Sequence, residues 1–137
     1  AKLRIKKRQD IEIEIVNHSK NDIMVNSNSD RIRQVFDNLI SNAIRYSERG
    51  KISIVIEDDK EEYLFFVSDT GSGINEESLS RIFERFYRTE DARTKFRKGT
   101  GLGLPIVKHI IEAHNSSINV DSVEGKGTTF SFALMKS

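Results

Sequence analysis

The chain has 137 residues, of which 36% are apolar and 31% charged, with a formal net charge of +1 and no cysteine. That length suits one domain with a single core. The missing cysteines exclude a disulfide scaffold and a Cys-based zinc site, and the balanced charge argues against a general nucleic-acid binder. No apolar run approaches the roughly 20 residues of a membrane-spanning helix, and no secretory signal pattern is present. Ala1 does not read as a native start, so a fragment of a longer protein is expected.

In chain order, Lys2, Arg4, Lys6, Lys7 and Arg8 form a basic run that reads as a solvated helix end or linker. Ile11, Ile13 and Ile15 alternate with Glu12 and Glu14, as in a half-buried strand. A turn is expected from Asn17 to Asp22, a short strand from Ile23 to Val25, and a loop with Ser29 or Asp30 as helix cap. Ile32, Val35, Phe36, Leu39, Ile40, Ala43 and Ile44 then mark an amphipathic helix over about 31–46.

Ile52, Ile54 and Ile56 alternate as a strand, and a charged turn over 57–62 leads to a partner strand over 63–68. Period two places Tyr63, Phe65, Val67 and Asp69 on one face. Leu79, Ile82, Phe83 and Phe86 predict a short helix, followed by a polar, basic stretch from Arg88 to Lys98. Leu104, Val107, Ile110 and Ile111 predict another helix, with Pro105 in its first turn. Two strands, 118–123 and 128–134, close on a hairpin at Glu124-Gly-Lys-Gly127. Hairpins alternating with helices predict an α+β two-layer sandwich with the helices on one face of the sheet.

Four constellations carry chemistry. Gln34, Asn38, Asn42 and Arg45 fall in one stripe of the first long helix, expected opposite its apolar face, with Asn42 nearest the apolar border. A carboxamide oxygen is a hard neutral ligand that suits Mg²⁺, and Arg45 can meet phosphate charge. Asp69-Thr-Gly71-Ser-Gly73-Ile74 puts a carboxylate at a strand end beside two glycines that permit close approach to a flat ligand. An ionised Asp only accepts hydrogen bonds, so it fits an exocyclic amine such as that of adenine.

The same Asp-Thr-Gly triplet occurs in aspartic proteases, whose chemistry needs two carboxylates, and no second copy is present. Gly99-Thr100-Gly101-Leu102-Gly103-Leu104 opens a helix, where converging N–H groups and the helix dipole favour phosphate. It is neither a Walker A loop nor a dinucleotide fingerprint. The stretch before it, with Arg93, Lys95, Arg97 and Lys98, suits a lid over about 87–100. Finally, Gly127-Thr128-Thr129 enters a strand, where only one threonine can face a pocket.

Together these pieces resemble the catalytic ATP-binding domain of sensor histidine kinases, of the GHKL superfamily with the Bergerat fold. The segment from Gln34 to Ser47 resembles the N box, Asp69–Ile74 the G1 box, Phe83–Arg88 the F box and Gly99–Leu104 the G2 box. The resemblance implies a mixed, mostly antiparallel sheet, and one catalytic domain over 1–137 without the acceptor-histidine dimerisation domain.

It implies ATP and Mg²⁺ as cofactors, with Asn42 and Asn38 at the metal and phosphates and Arg45 near the terminal phosphate. It places Tyr46 by the ribose or adenine, and Asp69 on the adenine amine within Gly71, Gly73 and Ile74. Lys98 and Gly99 to Leu104 fall around the triphosphate, and Thr128 at the adenine end. The implied partners are the protein's own dimerisation and phosphotransfer domain and a response regulator. The expected parent is a membrane-anchored homodimer with this domain on the cytoplasmic side, the isolated domain being a monomer.

Asn28 stands where the family often has Asp, and none of His18, His109 and His114 lies in an acceptor-like context. Two other functions compete. ATP-hydrolysing switches such as gyrase B, MutL-type repair proteins and heat-shock chaperones keep a Glu where this chain has Asn38, and an amide cannot take a proton from water. A degenerate module that binds partners without ATP is the other. Anti-sigma-factor kinases are related, but the F box and the Gly-Leu-Gly-Leu ending fit sensor kinases better.

Overall fold

The computed structural model describes residues 2–8, 11–19, 28–46, 50–85, 87 and 103–136, with only the backbone described for 2–8 and 46. Six strands form one sheet in the order β1-β2-β3-β4-β6-β5. They are β1 (Lys2–Arg8), β2 (Ile11–Asn17), β3 (Gly50–Asp59), β4 (Glu62–Asp69), β5 (Asn119–Val123) and β6 (Gly127–Met135). β2 and β3 run parallel, joined through helix α1 (Ser29–Tyr46), and every other pair is antiparallel. The expected mixed, mostly antiparallel α+β architecture is therefore the one formed.

Alternation sets the layers. Ile52, Ile54, Tyr63, Phe65, Val67, Phe130, Phe132 and Leu134 are buried on one face of the sheet. α1 covers that face with Ile32, Val35 and Leu39, and α3 (Gly103–Ala113) covers it with Val107, Ile110 and Ile111. Phe36 of α1 meets Phe65 edge-on at 5.7 Å, and Phe65 stacks on Phe132 at 5.2 Å. Each fully buried Val or Leu here contributes about 1.5–3 kcal/mol. Among the described residues, no helix is long and apolar enough to cross a membrane.

Several sequence expectations are corrected. The basic run at the N-terminus is a strand: β1 pairs antiparallel with β2, with Leu3 opposite Ile15 and Ile5 opposite Ile13. The helix predicted around Leu79 to Phe86 is regular for one turn only, α2 (Glu76–Leu79). After it the chain advances by successive turns, Arg81 N–H to Ser78 O, Glu84 N–H to Arg81 O and Tyr87 N–H to Glu84 O. Bonds three residues apart keep Ile82 and Phe83 on the core side without continuing an α-helix. The β3–β4 turn is tighter than expected, at Lys60 and Glu61, with Lys60 at φ 56°. The short strand expected at Ile23–Val25 lies outside the described residues.

The cap of α1 is Asn28, not Ser29 or Asp30. Its Oδ1 accepts the Arg31 N–H at 3.2 Å, and its carbonyl accepts the Ile32 N–H at 3.0 Å. His114, just past α3, reaches the same turn. Its Nδ1 lies 2.8 Å from the Ile110 carbonyl and must donate to it, so Nε2 is the acceptor for the Asn28 N–H at 3.1 Å. The C-terminal end of α3 is thereby tied to the N-terminal end of α1. At the opposite end of the same helix pair, Gly103 faces Asn38.

Candidate functional site

The polar stripe of α1 lies on the flank of the helix rather than opposite its apolar face. Gln34, Asn38, Asn42 and Arg45 are all half-buried, while Arg33, Asp37 and Ser41 are the exposed positions. The flank looks toward the start of α3, because a Cβ on Gly103 would stand 3.9 Å from Asn38 Cγ and Oδ1. Asn38 Nδ2 is buried and has no hydrogen-bond partner among the described residues. The beginning of an eleven-residue helix, with its positive dipole end, therefore sits beside an amide donor unpaired among the described residues. Leu104 is half-buried and packs against the core. Lys98, Gly99, Thr100, Gly101 and Leu102 lie outside the described residues, as does the Tyr46 side chain.

The second group gathers at the end of β4. Asp69 pairs with Ile52 on one side and Thr128 on the other, and Thr128 is buried. Of the two threonines, Thr128 therefore shares the helix-covered face with Asp69, and Thr129 points to the other face, where its Oγ1 meets Ser68 Oγ at 2.9 Å. Asp69 Oδ1 accepts the Gly71 N–H at 2.9 Å. Burial pushes the Asp69 carboxyl above the usual carboxylate range, against the downward pull of the Gly71 and Thr128 backbone N–H groups. Gly71 contributes that N–H; the left-handed backbone belongs to Gly73, at φ 72°.

A Cβ on Gly73 would fall 2.3 Å from the Val123 carbonyl, and one on Gly127 2.0 Å from the Asp69 carbonyl. Glycine thus lets the loop after β4 lie directly on the β5–β6 hairpin. Hydrogen bonds fix it there: Gly125 N–H to Ser72 O at 2.7 Å, and Ile74 N–H to Ser122 Oγ at 2.7 Å. Ser122 Oγ also reaches the Gly127 carbonyl at 3.0 Å and Thr128 Oγ1 at 2.8 Å. Ser122 escapes a reading of motifs. Counting across the hairpin turn would have found it, since Val123 opposes Gly127 and Ser122 opposes Thr128.

Tyr87, the first residue of the expected lid, is held on α2: its hydroxyl donates to Ser78 Oγ at 2.9 Å, and Arg81 lies over its ring at 4.4 Å. Of the histidines, His18 is exposed with Nδ1 2.7 Å from Glu57 Oε1, His109 is exposed, and His114 ties the helices as described. Among the described residues no cluster of His, Cys, Asp and Glu could hold a metal ion, so a cation here would rest on amide oxygens and on its ligand's own oxygens.

Asp69, Gly71, Gly73, Ile74 and Thr128 are thus assembled at one place, and Asn38 and Gly103 at another, on the same helix-covered side of the sheet. The chain and its fold match known proteins. The chain belongs to the histidine kinase-, DNA gyrase B- and HSP90-like ATPase family, which matches residues 27–137, and within it to the catalytic domains of sensor histidine kinases.

It is 45% identical over 131 residues to the sensor histidine kinase WalK of Bacillus subtilis, covering 93% of this chain and 21% of that relative. It is 49% identical over 108 residues to the sensor protein SrrB of Staphylococcus aureus, covering 78% of this chain and 18% of the relative. The chain therefore spans about a fifth of the length of these relatives. The catalytic domain of histidine kinase ThkA superposes with a TM-score of 0.75 at 34% identity, covering 93% of this chain and 80% of that one. ShkA, solved with AMPPNP, superposes at 0.79 with 30% identity, covering 93% of this chain and 26% of that one.

Proposed function

We propose that this domain binds Mg-ATP between its two groups of polar residues and donates the γ-phosphoryl group to a histidine on a separate dimerisation domain. One observation carries the reading: Asn38 Nδ2 is buried, without a partner among the described residues, beside the start of α3. An unpaired buried donor costs about 1–3 kcal/mol, and a phosphate oxygen satisfies it. The amide oxygens of Asn42 and Asn38 fit Mg²⁺, which would neutralise charge on the phosphate oxygens. The relative solved with AMPPNP supports a nucleotide in this fold.

In this reading Asp69 accepts from the adenine amine, with Gly71, Gly73 and Ile74 along the base and Thr128 beside it. Tyr46 lies by the ribose or adenine. Lys98 and Gly99 to Leu104 cover the triphosphate under the 87–100 lid. Asn38 and Arg45 serve the transfer. The acceptor imidazole nitrogen bonds to the γ-phosphorus as its bond to the bridging oxygen breaks and ADP leaves. Catalysis is positioning and charge neutralisation. The parent protein would be a membrane-anchored homodimer that passes the phosphoryl group on to a response regulator. The present domain would lie on the cytoplasmic side, monomeric when isolated.

Titration with ATP and Mg²⁺ is the test, alongside turnover by the isolated chain. The expected result is binding with very slow hydrolysis, and loss of affinity of about 100-fold in Asn42→Ala. Rapid hydrolysis by the isolated chain would favour an ATPase switch. No binding, with Asn42→Ala indistinguishable from wild type, would favour a module that engages partners without nucleotide.

A further inference from the structure

Ser122 makes three hydrogen bonds with one oxygen, and counting its protons fixes the direction of each. A serine hydroxyl carries one proton and two lone pairs. The Ile74 N–H, at 2.7 Å, can only donate, so it occupies one lone pair. The Gly127 carbonyl, at 3.0 Å, can only accept, so it takes the Ser122 proton. Thr128 Oγ1, at 2.8 Å, is left facing the second lone pair and must donate its own proton there. Having spent that proton, Thr128 Oγ1 presents only lone pairs to anything else that reaches it.

Asp69 and Thr128 are direct cross-strand partners on the same face of the sheet. Side chains so placed stand about 5 Å apart at Cβ. The Asp69 carboxylate is an acceptor as well, so the pair offers acceptors on both sides and no hydroxyl donor.

We propose that Ser122 is a positioning residue for base selection: by holding Thr128 Oγ1 as an acceptor, it makes the pocket take an aminopurine and reject an oxopurine. The inference rests on reading Asp69 and Thr128 as the adenine end of the nucleotide site. Adenine offers an amine that donates to both oxygens. Hypoxanthine and guanine put a carbonyl oxygen there, leaving acceptors facing one another with no proton between them. Without the Ser122 hydroxyl, Thr128 can turn its proton outward and donate to that carbonyl.

The test compares affinities for Mg-ATP and Mg-ITP in wild type, Ser122→Ala and Ser122→Thr. Wild type is expected to prefer ATP on the order of 10–100-fold. Ser122→Ala is expected to lower the preference about tenfold, mainly through tighter ITP relative to ATP, and Ser122→Thr, which keeps a hydroxyl, to retain it. An unchanged preference in Ser122→Ala would overturn the inference.

Where Ser122→Ala fails to fold, Thr128→Val replaces it, removing the acceptor while keeping the shape. It should weaken ATP and leave ITP unchanged or tighter. Equal weakening of both nucleotides would overturn the inference. Wild type that binds neither nucleotide would overturn the proposed function itself, whereas ATP binding with an unaltered ratio removes only the role of Ser122.

Discussion

The two halves of the site are built in opposite ways. At the proposed base end, Asp69, Gly71, Ile74, Ser122, Gly127 and Thr128 satisfy one another through short bonds between β4, its following loop and the β5–β6 hairpin. At the proposed phosphate end, Asn38 has a buried donor with no partner among the described residues and faces Gly103 at the start of α3. The first half is complete before a ligand arrives. In the proposed function the ligand finishes the second. There, fixed acceptors would meet a flat, neutral base, and unspent donors a flexible, highly charged chain.

The sharpest way to break this contrast is to add one methyl group at each end. Gly127→Ala places a Cβ against the Asp69 carbonyl at φ 141°, and should cost about 3 kcal/mol or more of stability. Gly103→Ala puts its Cβ at ordinary contact with Asn38, and should change stability by less than about 0.5 kcal/mol. Chemical denaturation of both variants checks this; equal losses would remove the distinction.

Next in size is Asn38→Leu. Replacing an unsatisfied buried amide with an apolar side chain of similar volume should raise stability by about 1 kcal/mol and weaken ATP binding. A loss of stability would mean that Asn38 is already satisfied in the free protein.

A comparable effect, about 1 kcal/mol, is expected from His114→Leu, which removes the acceptor of the Asn28 N–H, while His114→Gln, whose side-chain oxygen can replace Nε2, should recover most of it. Thermal unfolding of the pair checks whether the tie between α1 and α3 contributes at all.

The smallest effect is on pH dependence. Burial raises the Asp69 carboxyl, so between its unfolded and folded pKa values the native state binds more protons than the unfolded one. Stability contributed by this group therefore falls as pH rises through that window. Ionised Asp69 is a cost at neutral pH that is relieved on acidification. The stability difference between wild type and Asp69→Asn should shift toward wild type as pH falls through that window, while ATP affinity of wild type declines as its acceptor is protonated. Parallel pH curves for the two proteins would contradict this.

Much of the fold was readable because burial leaves a period in the sequence. Ile52, Ile54 and Ile56, or Tyr63, Phe65 and Val67, cannot alternate so regularly without a sheet. β1 was hidden because its five cations mask Leu3 and Ile5, and an edge strand needs no strong apolar pattern. The region after α2 misled because bonds three residues apart place apolar side chains much as a helix does. In the site, Asp69 and Gly73 were legible as turn chemistry, whereas alternation left Thr128 and Thr129 open and only the family resemblance chose Thr128. Ser122 was not, because its role exists only across paired strands. The polar stripe of α1 was found but misplaced, since α3 turns what would be a solvent face into a flank.

Amide hydrogen exchange, with and without Mg-ATP, tests the contrast most directly. The Gly71, Ile74 and Thr128 amides should be protected in the free domain and change little on binding. The Gly103 and Leu104 amides, at the start of α3, should gain protection only with nucleotide. Free exchange at Gly71, Ile74 and Thr128 until ATP is added would contradict it.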